Sequence, residues 1–123
     1  MHEIGIMEET LNLAIDYAME EKATEITEIT MAIGKMSGVV PSALQFAFDV
    51  IKHSSIEQNQ SINVKNAQLK IELLPIICYC DSCQERFTPE EWIFQCPQCN
   101  LFSNKIIQGK EIKLISMQIE NEK

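Results

Sequence analysis

Apolar positions recur at helical spacing from the start of the chain. Met7, Leu11, Ala14, Ile15, Ala18 and Met19 alternate with Glu8, Glu9, Asn12, Asp16 and Glu20, which predicts an amphipathic helix over the first 20 residues. It should end between Glu21 and Thr24. The period then shortens. Ile26, Thr27, Ile29, Thr30, Met31 and Ile33 form a β-branched run closed by Gly34, the signature of a strand. Lys35 to Val40 reads as a loop, and Pro41 suits the first turn of a second helix, where its missing N–H is not needed. Leu44, Ala47, Phe48 and Ile51 mark that helix's buried face. Ser54 to Ser61 is polar and expected as a loop.

Ile62 to Leu74 reads as one strand bulged near Asn66, because Leu69, Ile71 and Leu73 alternate with Lys70 and Glu72. From Ile76 to Gln108 periodicity disappears and cysteines, prolines and polar residues take over. Strand alternation returns from Glu111 to Glu120 through Ile112, Leu114, Ile115, Met117 and Ile119. The interrupted pattern predicts an α/β body made of residues 1–74 and 109–123, with a separate lobe, residues 75–108, inserted between two strands. A lobe of about 34 residues is too small to build its own core.

Composition narrows the partners. The chain has 123 residues, 46% of them apolar, as expected of a folded globular protein. Its net charge of −8 repels phosphate backbones and acidic membranes. No basic, long apolar segment resembles a secretory signal or a membrane span, so a soluble cytoplasmic protein is expected.

All five cysteines lie between Cys78 and Cys99. An odd number so crowded is a poor disulfide framework and a good metal site. Cys80-x2-Cys83 and Cys96-x2-Cys99 are separated by twelve residues. Each pair puts two sulfurs on one tight turn, and two facing turns close a tetrahedral shell with no open position. Such a shell is structural, and its binding energy becomes folding energy. Zinc is favoured over iron, although the ligands suit both. Cys78 reads as a small buried hydrophobe, with a substitute ligand or a redox thiol as the alternatives.

The N-terminus holds a second candidate. In Met1-His2-Glu3 a free amine, the His2 amide nitrogen and its Nδ1 can close adjoining chelate rings, a planar nitrogen-rich arrangement that suits Ni(II) or Cu(II). A nitrogen or oxygen from Glu3 could complete it. The plain alternative is an exposed, solvated histidine. His53 reads as a surface residue or a helix-end cation.

Taken in order, these pieces resemble the HypA/HybF family of nickel metallochaperones in [NiFe]-hydrogenase maturation. The resemblance spans nearly the whole chain: Met1-His2-Glu3, Ile33-Gly34, Ser37-Gly38-Val39, Pro41-x-x-Leu44-x-Phe46-Ala47-Phe48-Asp49, the paired cysteine turns with Cys96-Pro97-x-Cys99, and Gly109-x-Glu111-Ile112. Many relatives place glycine after each cysteine pair, where the turn wants positive φ; this chain has Gln84 and Asn100. The resemblance implies an α+β fold of two helices on a three-stranded sheet with an inserted zinc-ribbon-like lobe. It implies nickel on His2 with Met1 and Glu3 contributing, and structural zinc on Cys80, Cys83, Cys96 and Cys99. It implies as partners the GTPase HypB and the hydrogenase large subunit, with urease maturation proteins in some bacteria, and leaves a homodimer open.

The competing class is a zinc-ribbon adaptor for protein or nucleic acid. Asp81, Glu85, Arg86, Glu90, Glu91 and Lys105 around the cysteines make no basic patch, so nucleic acid is not expected. Phe87, Trp92, Phe94 and Phe102 are expected to pack the lobe. A hydrolytic enzyme is not expected either, for no His-Glu-x-x-His helix offers an open metal site.

Overall fold

The computed structural model describes residues 2–58 and 61–121. Helix α1 (Glu3–Glu20) buries Met7, Leu11, Ala14, Ile15 and Ala18. Met19 is instead 49% exposed: at 3.6 residues per turn it lies about 100° round the helix from the stripe centred on Met7, Leu11 and Ala18. The helix stops by backbone geometry. Lys22 adopts φ 57°, its N–H reaches the Met19 carbonyl and the Ala23 N–H reaches that of Ala18, the paired bonds of a Schellman end.

Strand β1 (Glu25–Gly34) follows, then α2 (Pro41–Gln58). The expected loop at Ser54–Ser61 is therefore largely helix. Polar residues can continue a helix as well as break it, and residues 59 and 60 lie outside the described ones. The expected strand from Ile62 also divides. Asn63 bridges to Glu25, its side-chain oxygen takes the Lys65 N–H, and the Ala67 N–H turns back to Val64. That local bonding competes with the ladder, so regular pairing starts only at β2 (Gln68–Leu74). Ile62, Val64 and Ala67 remain buried, so the turn keeps the apolar positions while losing the strand.

Strand β3 (Ile77–Cys80), β4 (Glu85–Phe87) and β5 (Lys105–Gln108) come next, and β6 (Ile112–Glu120) closes the chain. The larger sheet has the order β2-β1-β6. β1 runs parallel to β2 from Glu28↔Gln68 to Gly34↔Leu74, and antiparallel to β6 from Glu25↔Glu120 to Ile33↔Ile112. The β1–β6 register slips between Thr30 and Met31, which pair with Ser116 and Leu114. Ile115 is thus the extra residue of a bulge and is exposed, which explains the adjacent Leu114-Ile115 in an otherwise alternating strand. Both helices lie on one face, where Ile26, Ile29, Met31 and Ile33 pack in one cluster with Met7, Leu11, Leu44 and Phe48. Among the described residues no helix is long and apolar enough to cross a membrane.

The second sheet has the order β4-β3-β5, all antiparallel. Strands of three or four residues are too short to show a period, which is why this stretch reads as irregular in the sequence. Its two connections to the larger sheet meet at the end of β1. The Lys35 N–H bonds the Leu74 carbonyl, the Gly34 N–H that of Glu111, and the Met36 N–H that of Gly109. Gln108 Nε2 also donates to Pro75, tying the outgoing chain to the returning one. This crossing demands glycine: a Cβ on Gly34 would lie 2.1 Å from the Gly109 carbonyl oxygen, and Gly109 itself sits at φ 132°.

Candidate metal centre

Strand β3 delivers Cys80 at its last position, and a knuckle turn returns the chain to Glu85, which pairs with Cys80. Cys83 stands on that turn, its N–H on the Cys80 sulfur at 3.4 Å. A matching turn carries Cys96 and Cys99. There the Asn100 N–H meets the Cys96 carbonyl, and the Cys96 N–H meets that of Leu101. Both turns need a left-handed residue after the second cysteine, and Gln84 and Asn100 supply it at φ 55° and 63°. Neither is glycine, so the knuckles keep their shape at a local conformational cost.

The four sulfurs lie within 4.8 Å of one another. Cys80 and Cys99 are 3.5 Å apart, Cys83 and Cys96 3.9 Å. Thiolates bound at about 2.3 Å to one tetrahedral ion sit about 3.8 Å from each other, so the cluster fits a single zinc-sized cation. Its protonation is uneven. The Cys99 N–H, with that of Gln98, pulls the Cys96 thiol down to about 7 against its burial. The Cys99 thiol and burial push Cys83 up to about 12. Four thiols cannot all ionise at this spacing without a cation among them, and a divalent ion favours thiolate at each.

Cys78 is fully buried and stands outside this cluster. It pairs with Phe87 on one side and Ile106 on the other, and burial raises its thiol pKa. These are the surroundings of the small hydrophobe expected from its position.

His2 is exposed at the start of α1. The first helical bond runs from the Ile6 N–H to the His2 carbonyl, so the amide nitrogens of His2 and Glu3 belong to the opening turn, which has no helical acceptors for them. The Glu3 carboxylate accepts the Val40 N–H at 3.2 Å, and this bond, followed by that of its own amide, holds its pKa below the usual carboxylate value. Met1 lies outside the described residues. His53 is exposed on α2. The Glu3–Val40 bond spans 37 positions and left no mark in the sequence pattern. The Gly34–Gly109 crossing left one, in the glycines themselves, with nothing to say that they meet.

The family model described as "Hydrogenase/urease nickel incorporation, metallochaperone, hypA" matches residues 1–119. The chain belongs to the HypA family. A hydrogenase maturation factor HypA from Picosynechococcus sp. is 41% identical over 119 residues, 97% of this chain and 99% of that one. Another, from Campylobacter jejuni, is 35% identical over 118 residues, 95% and 97% of the two chains. Among solved structures, a solution structure of HypA protein aligns with TM-score 0.69 at 26% identity, covering 99% of this chain and 98% of the other. The solution structure of the Ni metallochaperone HypA from Helicobacter pylori aligns with TM-score 0.66 at 24% identity, covering 99% and 100%, a likeness of fold. The α+β architecture expected from the sequence is thus the HypA architecture.

Proposed function

We propose that this HypA-family chain is a nickel carrier that takes Ni(II) at its N-terminal end and releases it to a hydrogenase under maturation. Family membership over residues 1–119 carries the nickel and maturation reading. Support for the N-terminal site is the exposure of His2 beside amide nitrogens outside the helical bonding pattern. The ligands are His2 through its imidazole and amide, the Met1 amine, and Glu3. Glu3 contributes a nitrogen or an oxygen, its carboxylate being shared with the Val40 N–H. The bound amides, amine and imidazole must lose protons, so nickel binding weakens as pH falls. Few ligands at a chain end suit a metal that must leave again.

In the same reading Cys80, Cys83, Cys96 and Cys99 hold zinc, which supplies cross-linking of the two knuckles and no catalysis. Residues 75–108 are then a unit folded by that ion and inserted into the nickel-binding body of residues 1–74 and 109–123. The GTPase HypB and the hydrogenase large subunit are the proposed partners, and the family's description extends the same chemistry to urease.

The test is a nickel titration of untagged protein and of His2→Ala, with zinc content followed throughout. The expected result is a loss of about a hundredfold or more in nickel affinity, equivalent to roughly 2.7 kcal/mol, at unchanged zinc content. Equal affinity in the two proteins overturns the N-terminal site.

A further inference from the structure

The aromatic residues of the lobe do not all pack it. Phe102 is 75% exposed and Trp92 57%, against the sequence expectation that they pack the lobe, and the neighbouring Ile93 is 54% exposed. Single exposed apolar side chains are ordinary, but large ones gathered on one surface mark an interaction site. These are gathered. Phe102 pairs with Gln95 across an antiparallel bridge, so the two share a face. Ile93 and Gln95 both line an open groove of about 340 Å³, together with Pro89, Glu90 and Pro97.

The backbone beside the groove is shaped around side chains. Glu90 and Ile93 bridge each other across a two-residue turn, and the Ile93 N–H closes it on the Glu90 carbonyl at 2.8 Å. Both turn residues have positive φ, 46° at Glu91 and 70° at Trp92. Turns of this kind ordinarily use Asn-Gly or Gly-Gly, and a bulky residue there is strained. A sequence selected for the turn alone has no use for Glu-Trp.

Charge indicates what the groove receives. Glu90 lines it and Glu91 stands in the turn beside it. Among the described residues the ion pairs join Lys52 to Asp49, Lys70 to Glu28 and Lys105 to Asp81, leaving both glutamates outside them. A second copy of this chain brings a net charge of −8, and a nucleic acid brings phosphates, so both meet repulsion here. We propose that the Ile93–Phe102 surface and its groove dock a segment of another protein that presents a large apolar side chain flanked by lysine or arginine. The groove's volume suits one such anchor, and the glutamates supply the matching rim. The proposal concerns the lobe and does not rest on where nickel binds.

The experiment uses 15N-labelled full-length protein and two capped nine-residue peptides. Each has the centre Gly-Leu-Trp-Leu-Gly; one carries Arg-Lys and Lys-Arg at its ends, the other Glu-Asp and Asp-Glu. The expected result is amide shifts confined to residues 88–103 with the basic peptide, and binding at least about tenfold weaker with the acidic one. Phe102→Ser, whose side chain is mostly in solvent, should keep the spectrum elsewhere and its zinc while weakening the basic peptide about tenfold. The double variant Glu90→Gln, Glu91→Gln should bring the two peptides closer in affinity. Absence of binding, equal binding of the two peptides by the unaltered protein, or shifts centred outside the lobe overturns the proposal. So does movement of the same amides on dilution without peptide, which assigns the surface to a second copy, or on adding a single-stranded oligonucleotide.

Discussion

The body and the lobe of this protein are held together by different physics. The body encloses a continuous apolar cluster in which Ile29, Met31, Ile33, Leu44 and Phe48 are essentially without solvent contact. The lobe contributes mainly Ile76 and cysteines to the buried set, and leaves Trp92, Leu101 and Phe102 outside. Where the body has a core, the lobe has four convergent sulfurs. The candidate metal sites differ in the same sense. The cysteine cluster is closed, presented from two hydrogen-bonded turns. His2 is exposed at the first turn of a helix. A closed shell suits an ion that stays; an exposed chain end suits one that moves on.

The largest expected effect separates the two regions directly. On the proposed reading of the cysteine cluster as a zinc site, a chelator or Cys96→Ser should open residues 75–108 to proteolysis while both helices keep their circular dichroism. Structural zinc contributes about 10–16 kcal/mol of binding energy in small modules, far more than the lobe's apolar burial can replace. If the lobe resists protease without metal, the contrast between core and ion is wrong. His2→Ala, in contrast, should leave folding stability within about 0.5 kcal/mol, as ordinary surface substitutions do.

The junction gives the next largest effect. Gly34→Ala places a methyl group against the Gly109 carbonyl, and the strands cannot separate without breaking the Gly34–Glu111 and Met36–Gly109 bonds. A loss of about 3 kcal/mol is expected, read by urea unfolding. Because this crossing anchors both connections of the lobe to the body, the loss should appear in the body's unfolding at unchanged zinc stoichiometry. A neutral substitution would mean that the two regions are less tightly joined than the geometry shows.

The smallest effect concerns the chain end. The Val40 N–H lowers the Glu3 pKa below its ordinary 4.5. A carboxylate stabilised in the folded state contributes above its unfolded pKa and loses that contribution as pH falls through its folded value. The Glu3–Val40 bond should therefore persist at neutral pH and break only below about 4.5, seen as a titrating Val40 amide resonance that Glu3→Gln abolishes. A Val40 resonance indifferent to both pH and Glu3→Gln would leave the helix start untethered.

Much of the fold was legible in the chain, and the reasons are local. Periodicity identified α1 and α2 because each buries one face against the same core, and a β-branched run identified β1, whose last six residues are all buried. The cysteine spacing identified the knuckles because two residues between sulfurs set a turn. The left-handed demand after each pair was legible too, although Gln84 and Asn100 met it in place of glycine. Two misreadings share one cause. Polar residues at Ser54–Ser61 and alternation at Ile62–Leu74 read as loop and strand, but helix ends and ladder starts depend on which partner is in reach.

By itself the sequence determined most of the side chains with which the two helices face the core, where two knuckles form and which four sulfurs are candidates for one ion, since those follow from spacing within short segments. Only the tertiary structure decided the rest. It brought the sulfurs to within 4.8 Å, joined Glu3 to Val40, set Gly34 against Gly109 and turned Trp92 and Phe102 outward. Each of these depends on the approach of chain segments distant in sequence, or on the absence of anything to cover them, and neither is encoded in a local period.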